Sequence, residues 1–268
     1  MKRKDLGIIW CFLVLFSACS PARHSSNTTT SGILEPYGPA WATLWQQRSA
    51  EYKALCFQAY NIAKDRLDAS LSASVQNPAV ITDIDETILD NSPYNAHQSL
   101  KGDLYSDSSW RVWTAKIAAD TVPGALTFLK YAASRGVQVF YISNRVEAER
   151  DATIANLKKW NFPEADDNHL LLKATTSNKD ERRKLVADQH NVLLLLGDNL
   201  GDFSGIFDHK TYEKRNELAE DSSAMFGKRF IVLPNPMYGE WLGALLNYQY
   251  KQTKEQQNAA LLKWLRTY

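Results

Sequence analysis

Residues 79–94 read Ala79-Val-Ile-Thr-Asp83-Ile-Asp85-Glu-Thr-Ile-Leu-Asp-Asn-Ser-Pro-Tyr94. The apolar run 79–82 passes without a turn into acidic residues, the pattern of a buried strand whose end carries charge. On an extended chain side chains repeat every two residues, so Asp83 and Asp85 share one side. Further apolar runs follow at 137–142, 169–172, 192–196 and 230–233. Helical patterns separate them: 123–134, with Pro123 at its first position and Gly136 as its stop, then 146–160 and 178–189. A helix over 40–71 precedes the first strand, and two helices follow Pro236. Alternating strands and helices imply an α/β fold with right-handed crossovers, a three-layer Rossmann-like parallel sheet. Ligands of such sheets sit outside the carboxyl ends of the strands. The polar residues there are Asp83 and Asp85, then Ser143, then Lys173 and Lys179, then Asp198 and Asp202.

Carboxylates gathered at one rim repel each other unless a cation joins them. An all-oxygen set suits Mg²⁺, which keeps several waters and accepts phosphate oxygens. Lys and Ser beside it would complete a site for a phosphoryl dianion. One carboxylate could then attack phosphorus and another could handle the leaving group's proton.

Asp83-Ile84-Asp85-Glu86-Thr87 matches the DxDx[TV] signature of the haloacid dehalogenase-like phosphohydrolases. The stretch 83–94, taken with Gly197-Asp198-Asn199-Leu200-Gly201-Asp202-Phe203, resembles the bipartite signature of the class C acid phosphatases, bacterial lipoprotein phosphatases that include 5′-nucleotidases. The resemblance covers about residues 35–268. It implies Asp83 as nucleophile and Mg²⁺ ligand, and Asp85 as general acid/base and ligand through its carbonyl. It implies Asp198 as third ligand, Asp202 as support of the metal, Ser143 and Lys179 as phosphate holders, and Thr87 as a local orienter of the loop. It also implies hydrolysis of phosphate monoesters, nucleoside monophosphates and aryl phosphates among them, with an acidic optimum. Two other readings share the scaffold: a phosphotransferase, and a ligand-binding lipoprotein without catalysis.

Residues 88–122 occupy the place where this superfamily inserts cap elements, and with the helices at 36–72 they would form a helical accessory region. Trp110 and Trp113 there, with Tyr238 and Trp241, could stack a base or aryl group; the resemblance points to Trp110 and Tyr238. Trp and Tyr are equally at home in a core, so the packing alternative stands beside the clamp. Asp90, Asp107 and Asp120 read as turn or cap residues.

The 268 residues carry 31 Lys and Arg against 30 Asp and Glu, which gives no electrostatic footprint for nucleic acid. The N-terminus, Met-Lys-Arg-Lys-Asp followed by an apolar run over 6–16, has the form of a secretory signal. Leu15-Phe16-Ser17-Ala18-Cys19 resembles a bacterial lipobox, with Phe16 where Leu is usual. The expectation is a signal at 1–18, lipidation of Cys19, a flexible tether over 19–34, and a lipid-anchored protein of the bacterial cell envelope. Ser20 at the next position implies the outer membrane for a Gram-negative host. Cys56 reads as a small core residue, and the oligomeric state, a dimer included, is left open.

Overall fold

The computed structural model describes residue 34, residues 38–71 and residues 75–268. The expected signal segment, Cys19 and all but the last residue of the tether lie outside them.

The first helical region is two helices, α1 (Gly38–Arg48) and α2 (Ala50–Ser70), where the sequence reading had one. Ser49 divides them: its hydroxyl accepts the Tyr52 N–H at 3.1 Å, which caps α2. The chain enters β1 (Pro78–Thr82) and then builds the insert. This consists of β2 (Leu89–Asp90), α3 (Ser92–Lys101), α4 (Asp107–Thr114, capped by Ser106) and β3 (Asp120–Thr121), which pairs antiparallel with β2. Asp90 accepts the Ser92 N–H at 2.8 Å and Asp120 that of Thr121 at 2.7 Å, the local roles expected of them. Helix α5 (Ala125–Ser134) starts two residues later than expected. Pro123 stays in the turn because Gly124, at φ +89°, must pass against the Tyr60 ring; a Cβ there would lie 3.0 Å from it.

Strand β4 (Gln138–Val146) runs four residues past its predicted end. Its register against the next strand shifts between Ile142 and Val146, which puts residues 143–145 in an irregular segment. A 3₁₀ turn at Glu147–Glu149 leads into α6 (Arg150–Lys159), followed by β5 (Leu170–Lys173), α7 (Asp180–Ala187) and β6 (Asn191–Gly197). Next comes α8 (Tyr212–Asp221), in a stretch where the sequence reading assigned no helix. Then follow β7 (Phe230–Val232) and the two expected C-terminal helices, α9 (Glu240–Leu245) and α10 (Lys254–Leu262).

The five main strands form one parallel sheet in the order β5-β4-β1-β6-β7. Side chains alternate across it. Val80, Val139, Tyr141 and Leu194 pack with Cys56 and Leu67 of α2 and Leu129 of α5 on one face. Ala79, Ile81, Phe140 and Leu195 pack with Val186 of α7 and Phe203 on the other. Each of the larger aliphatic and Phe side chains contributes about 1.5–3 kcal/mol on burial, so both faces are fixed and the strand ends cannot slip in register. From β1 the chain winds outward through β4 and β5, then returns to the other side of β1 for β6. The two strands ending in aspartate motifs therefore flank the switch point, where α/β sheets bind ligands.

Candidate active site

Asp83 leaves the end of β1 with its N–H on the Leu196 carbonyl at 2.9 Å, which locks it beside the end of β6. Asp198 follows β6, and Asp202 closes the 3₁₀ turn that comes after. One carboxylate oxygen from each of Asp83, Asp198 and Asp202 lies within 4.8 Å of the other two. Lys179, buried at the start of α7, pairs with Asp83 and sits 2.7 Å from Asp202 Oδ1. The Thr87 hydroxyl lies 3.2 Å from Asp198 Oδ1 and 3.4 Å from Asp83 Oδ2, so it joins the two loops as well as orienting its own. Asn235, which the sequence reading did not select, donates to Asp198 Oδ2 at 2.8 Å. The Asn199 N–H donates to Asp202 Oδ2 at 2.9 Å.

Three carboxylates around one ammonium leave an excess of negative charge in a dry place. Burial pushes Asp83 up to about 7; Lys179 pulls against this, while the charges of Asp202 and Asp85 add to it. Burial, then Asp202 and Asp83, holds Asp198 well above the usual carboxylate range. Lys179 stays above its ordinary value because Asp202 and Asp83 outweigh the burial that would lower it. Hard, all-oxygen ligands short of positive charge fit a divalent cation. Among the described side chains, Asp83, Asp198 and Asp202 are the carboxylates that could hold it.

Asp85 points elsewhere. Arg145 Nη2 donates to its Oδ1 at 2.7 Å, Arg145 Nε reaches both oxygens at 3.1 Å, and Asn91 Nδ2 donates at 2.8 Å. Arg145 is itself buried, donates to Thr153 Oγ1 at 3.1 Å, and lies over the Trp110 ring at 5.9 Å. Sequence reasoning gave Arg145 no role; the one signal was its place two residues after Ser143, in the irregular end of β4. Replacing Arg145 with Met breaks this buried pair, which costs about 2–3 kcal/mol with Asp85 partly exposed. The thermal midpoint should then fall by about 5–10 °C, and kcat by about 10–100-fold as the aspartate loses its orientation. Calorimetry and steady-state rates check both.

Ser143 is buried, and its hydroxyl accepts the Arg145 N–H at 3.1 Å, so it shapes the turn that carries Asn144 and Arg145 into the cavity. Arg182 ties this turn to the Lys179 loop: it donates to Ser143 O at 2.6 Å, Asn144 Oδ1 at 2.8 Å and Asn178 O at 3.1 Å. Lys173 has no place among these groups, whereas Lys179 does.

Asp83, Asp85, Arg145, Lys179, Asp198 and Asp202 all line a cavity of about 650 Å³, whereas Ser143 is not among its lining residues. Trp110 and Tyr238 both line it, together with Tyr94 and Tyr105. Trp113 does not; its indole N–H is spent on Asn91 Oδ1 at 2.8 Å. Trp241 lies half-exposed, its indole N–H on Tyr238 O at 3.1 Å. The Tyr238 hydroxyl donates to Glu86, a buried residue with φ +59° that also accepts the Asn91 N–H at 2.8 Å. Glu86 had no signal in the sequence beyond its place inside the motif. Burial, then the charges of Asp85, Asp198 and Asp90, keeps its carboxyl well above the usual range.

Gly197 shows how little room the site has. A Cβ there would run into the Asp202 carboxyl group. Gly197→Ala should push Asp202 off the cluster and lower kcat/KM by about 10–100-fold, the loss seen when groups supporting a metal site are displaced. A variant with wild-type kcat/KM would show that Asp202 need not stand there.

Residues 19–241 match the family model described as HAD superfamily, subfamily IIIB (acid phosphatase). Two solved structures of the class C acid phosphatase from Bacillus anthracis, one with tungstate bound, superpose with a TM-score of 0.83. They share 42% identity and cover 86% of this chain and 98% of theirs. Acid phosphatase 1 of Solanum lycopersicum is 26% identical over 166 residues, and the stem 31 kDa glycoprotein of Glycine max 28% over 168. The alignments take in 59% and 60% of this chain but only 57% and 59% of those two plant proteins.

Proposed function

The chain belongs to HAD superfamily subfamily IIIB, the acid phosphatases, and from that premise we propose that it is a Mg²⁺-dependent phosphomonoesterase working through a phosphoaspartate at Asp83. One observation carries the reading: Asp83, Asp198 and Asp202 converge from the ends of β1 and β6 with Lys179 between them. A bound Mg²⁺ would offset the carboxylate charge and polarise the phosphoryl oxygens. An Asp83 oxygen attacks phosphorus, and the bond to the leaving alcohol breaks. Asp85 gives its proton to that oxygen, then takes one from the water that attacks the phosphoaspartate, which frees phosphate and restores Asp83. Lys179 balances charge on the transferring group, the turn at Ser143 cradles it, and Arg145 keeps Asp85 aimed. Tungstate in a 42% identical relative is in keeping with an oxyanion site here.

Aryl phosphates and nucleoside monophosphates are the proposed substrates, held between Trp110 and Tyr238. The purified protein with Mg²⁺ should release inorganic phosphate from both; no release from either would end the reading. An added alcohol acceptor separates hydrolysis from phosphotransfer, since only transfer yields a new ester. We further propose that Cys19 anchors the chain to the bacterial outer membrane. Cys19→Ser should shift the protein from the membrane to the soluble fraction, and its retention would count against the anchor.

A further inference from the structure

Of the three residues in the turn 143–145, only one has a hydrogen-bonding group left for a phosphoryl oxygen in the cavity. Ser143 is buried and does not line the cavity, and its hydroxyl accepts the Arg145 N–H at 3.1 Å. Arg145 lines the cavity, but its guanidinium is committed to Asp85. Asn144 is exposed and lines the cavity together with Asp83 and Lys179. Arg182 Nη2 donates to Asn144 Oδ1 at 2.8 Å. A guanidinium can only donate, so the oxygen edge of the amide is the one turned to Arg182, and the NH₂ edge is left for the cavity. Among the described residues no acceptor takes a hydrogen bond from that NH₂ group.

Arg182 is placed to fix this amide. It also donates to Ser143 O at 2.6 Å, Ser177 O at 3.2 Å and Asn178 O at 3.1 Å, so it is gripped by the end of β4 and by the loop before α7. Arg145 is paired with Asp85, Lys179 with Asp83 and Arg183 with Asp180, whereas Arg182 makes no ion pair among the described residues. Its charge is therefore not neutralised by a direct partner. Burial lowers its pKa, while the charges of Asp83 and Asp202 pull the other way, so the cation and the carboxylate cluster feel each other. A cation donating to an amide oxygen polarises the amide and makes its NH₂ a stronger donor. A phosphoryl group in transfer carries its charge on the equatorial oxygens, and a donor already in place there lowers the barrier.

We propose that the Asn144 side-chain amide donates to an oxygen of the transferring phosphoryl group, and that Arg182 is the positioning residue that aims and polarises it. The proposal rests on the phosphomonoesterase reading above. The test is a double-mutant cycle of Asn144→Ala, Arg182→Ala and the two together, read as inhibition of aryl phosphate hydrolysis by inorganic phosphate with Mg²⁺ present. Asn144→Ala should raise the inhibition constant about tenfold or more, the loss of one hydrogen bond to a charged group. Its thermal midpoint should stay within about 2 °C, because residue 144 is exposed. Its kcat/KM should fall by the same factor, within about threefold, for aryl phosphate and for adenosine monophosphate, since the contact is to the group they share. Asn144→Asp keeps the shape and the Arg182 contact but presents no donor, so it should weaken phosphate at least as much. Arg182→Ala should cost about fivefold in the unmodified background and less than about twofold once residue 144 is alanine, whereas a merely structural role would make the two losses multiply. An inhibition constant within about twofold of the unmodified protein in Asn144→Ala, or losses that multiply, overturns the proposal. Should Arg182→Ala fail to fold, the two Asn144 variants decide on their own. Failure of the unmodified protein to hydrolyse either ester would instead overturn the phosphatase reading, and phosphate affinities of the Asn144 variants by calorimetry would still decide the role of the amide.

Discussion

Asp83→Asn should lower kcat by at least about 10⁴-fold, as deleting a covalent nucleophile does, with the fold unchanged. Asn has the shape of Asp and fills the same space against the Leu196 carbonyl and Thr87. What it lacks is a nucleophilic oxygen and a charge. Losing the charge is not costly to the fold: burial already pushes Asp83 up to about 7, and Lys179 keeps Asp202 as partner at 2.7 Å. The thermal midpoint should therefore stay within about 4 °C of the unmodified protein, the span of a 1–2 kcal/mol change in a domain of this size. Phosphate or tungstate should still inhibit, since Lys179 and the turn at Ser143 remain. Turnover within tenfold of the unmodified enzyme would remove Asp83 from the chemistry.

The second large effect concerns the cation. Stripping divalent ions should bring turnover below about 1%, because nothing then polarises the phosphoryl oxygens and burial favours the protonated, non-nucleophilic form of Asp83. Stability should fall as well. Mg²⁺ at about 100 times its dissociation constant adds about 2.7 kcal/mol, or about 5–10 °C in the midpoint. The pH dependence carries a sign. Without the cation, Asp83 is raised from 3.8 to about 7 and Asp198 is also raised well above its ordinary value. Folded protein then holds protons that unfolded chain gives up, so this contribution is full below about 4 and is lost as pH rises through about 7. The stripped protein should lose urea resistance over that window, and Mg²⁺ should restore most at the alkaline end. A midpoint insensitive to Mg²⁺ at every pH would mean that the carboxylates bind no ion.

How legible the site was depended on where a residue stands. The aspartates at 83, 85 and 198 follow short unbroken apolar runs, and a parallel sheet leaves such residues only one rim to occupy. Lys179 could be told from Lys173 because it stands at the start of a helical stretch, whose free N–H groups favour anions. Arg145 was hidden because a basic residue after a strand resembles any loop residue; only the irregular end of β4 turns it onto Asp85. Glu86 was hidden because its left-handed backbone is set by tertiary closure, with its N–H on Leu89 O at 2.8 Å. The apolar period running through Ser49 read as one helix; α1 packs against α3 while α2 packs against α5 and the sheet, and that division of partners is tertiary. In the insert, α4 is eight residues long with polar residues in its first turn, too short for periodicity to speak.

Trapping the covalent intermediate tests the central claim most directly. The enzyme is mixed with excess aryl phosphate and Mg²⁺, quenched in acid within a few turnovers, digested, and read by mass spectrometry. The peptide containing residues 79–94 should gain the mass of one phosphoryl group, located on Asp83 and removed by hydroxylamine. Phosphate on any other side chain would contradict the account, as would an unmodified peptide under conditions where a burst of alcohol precedes steady release of phosphate.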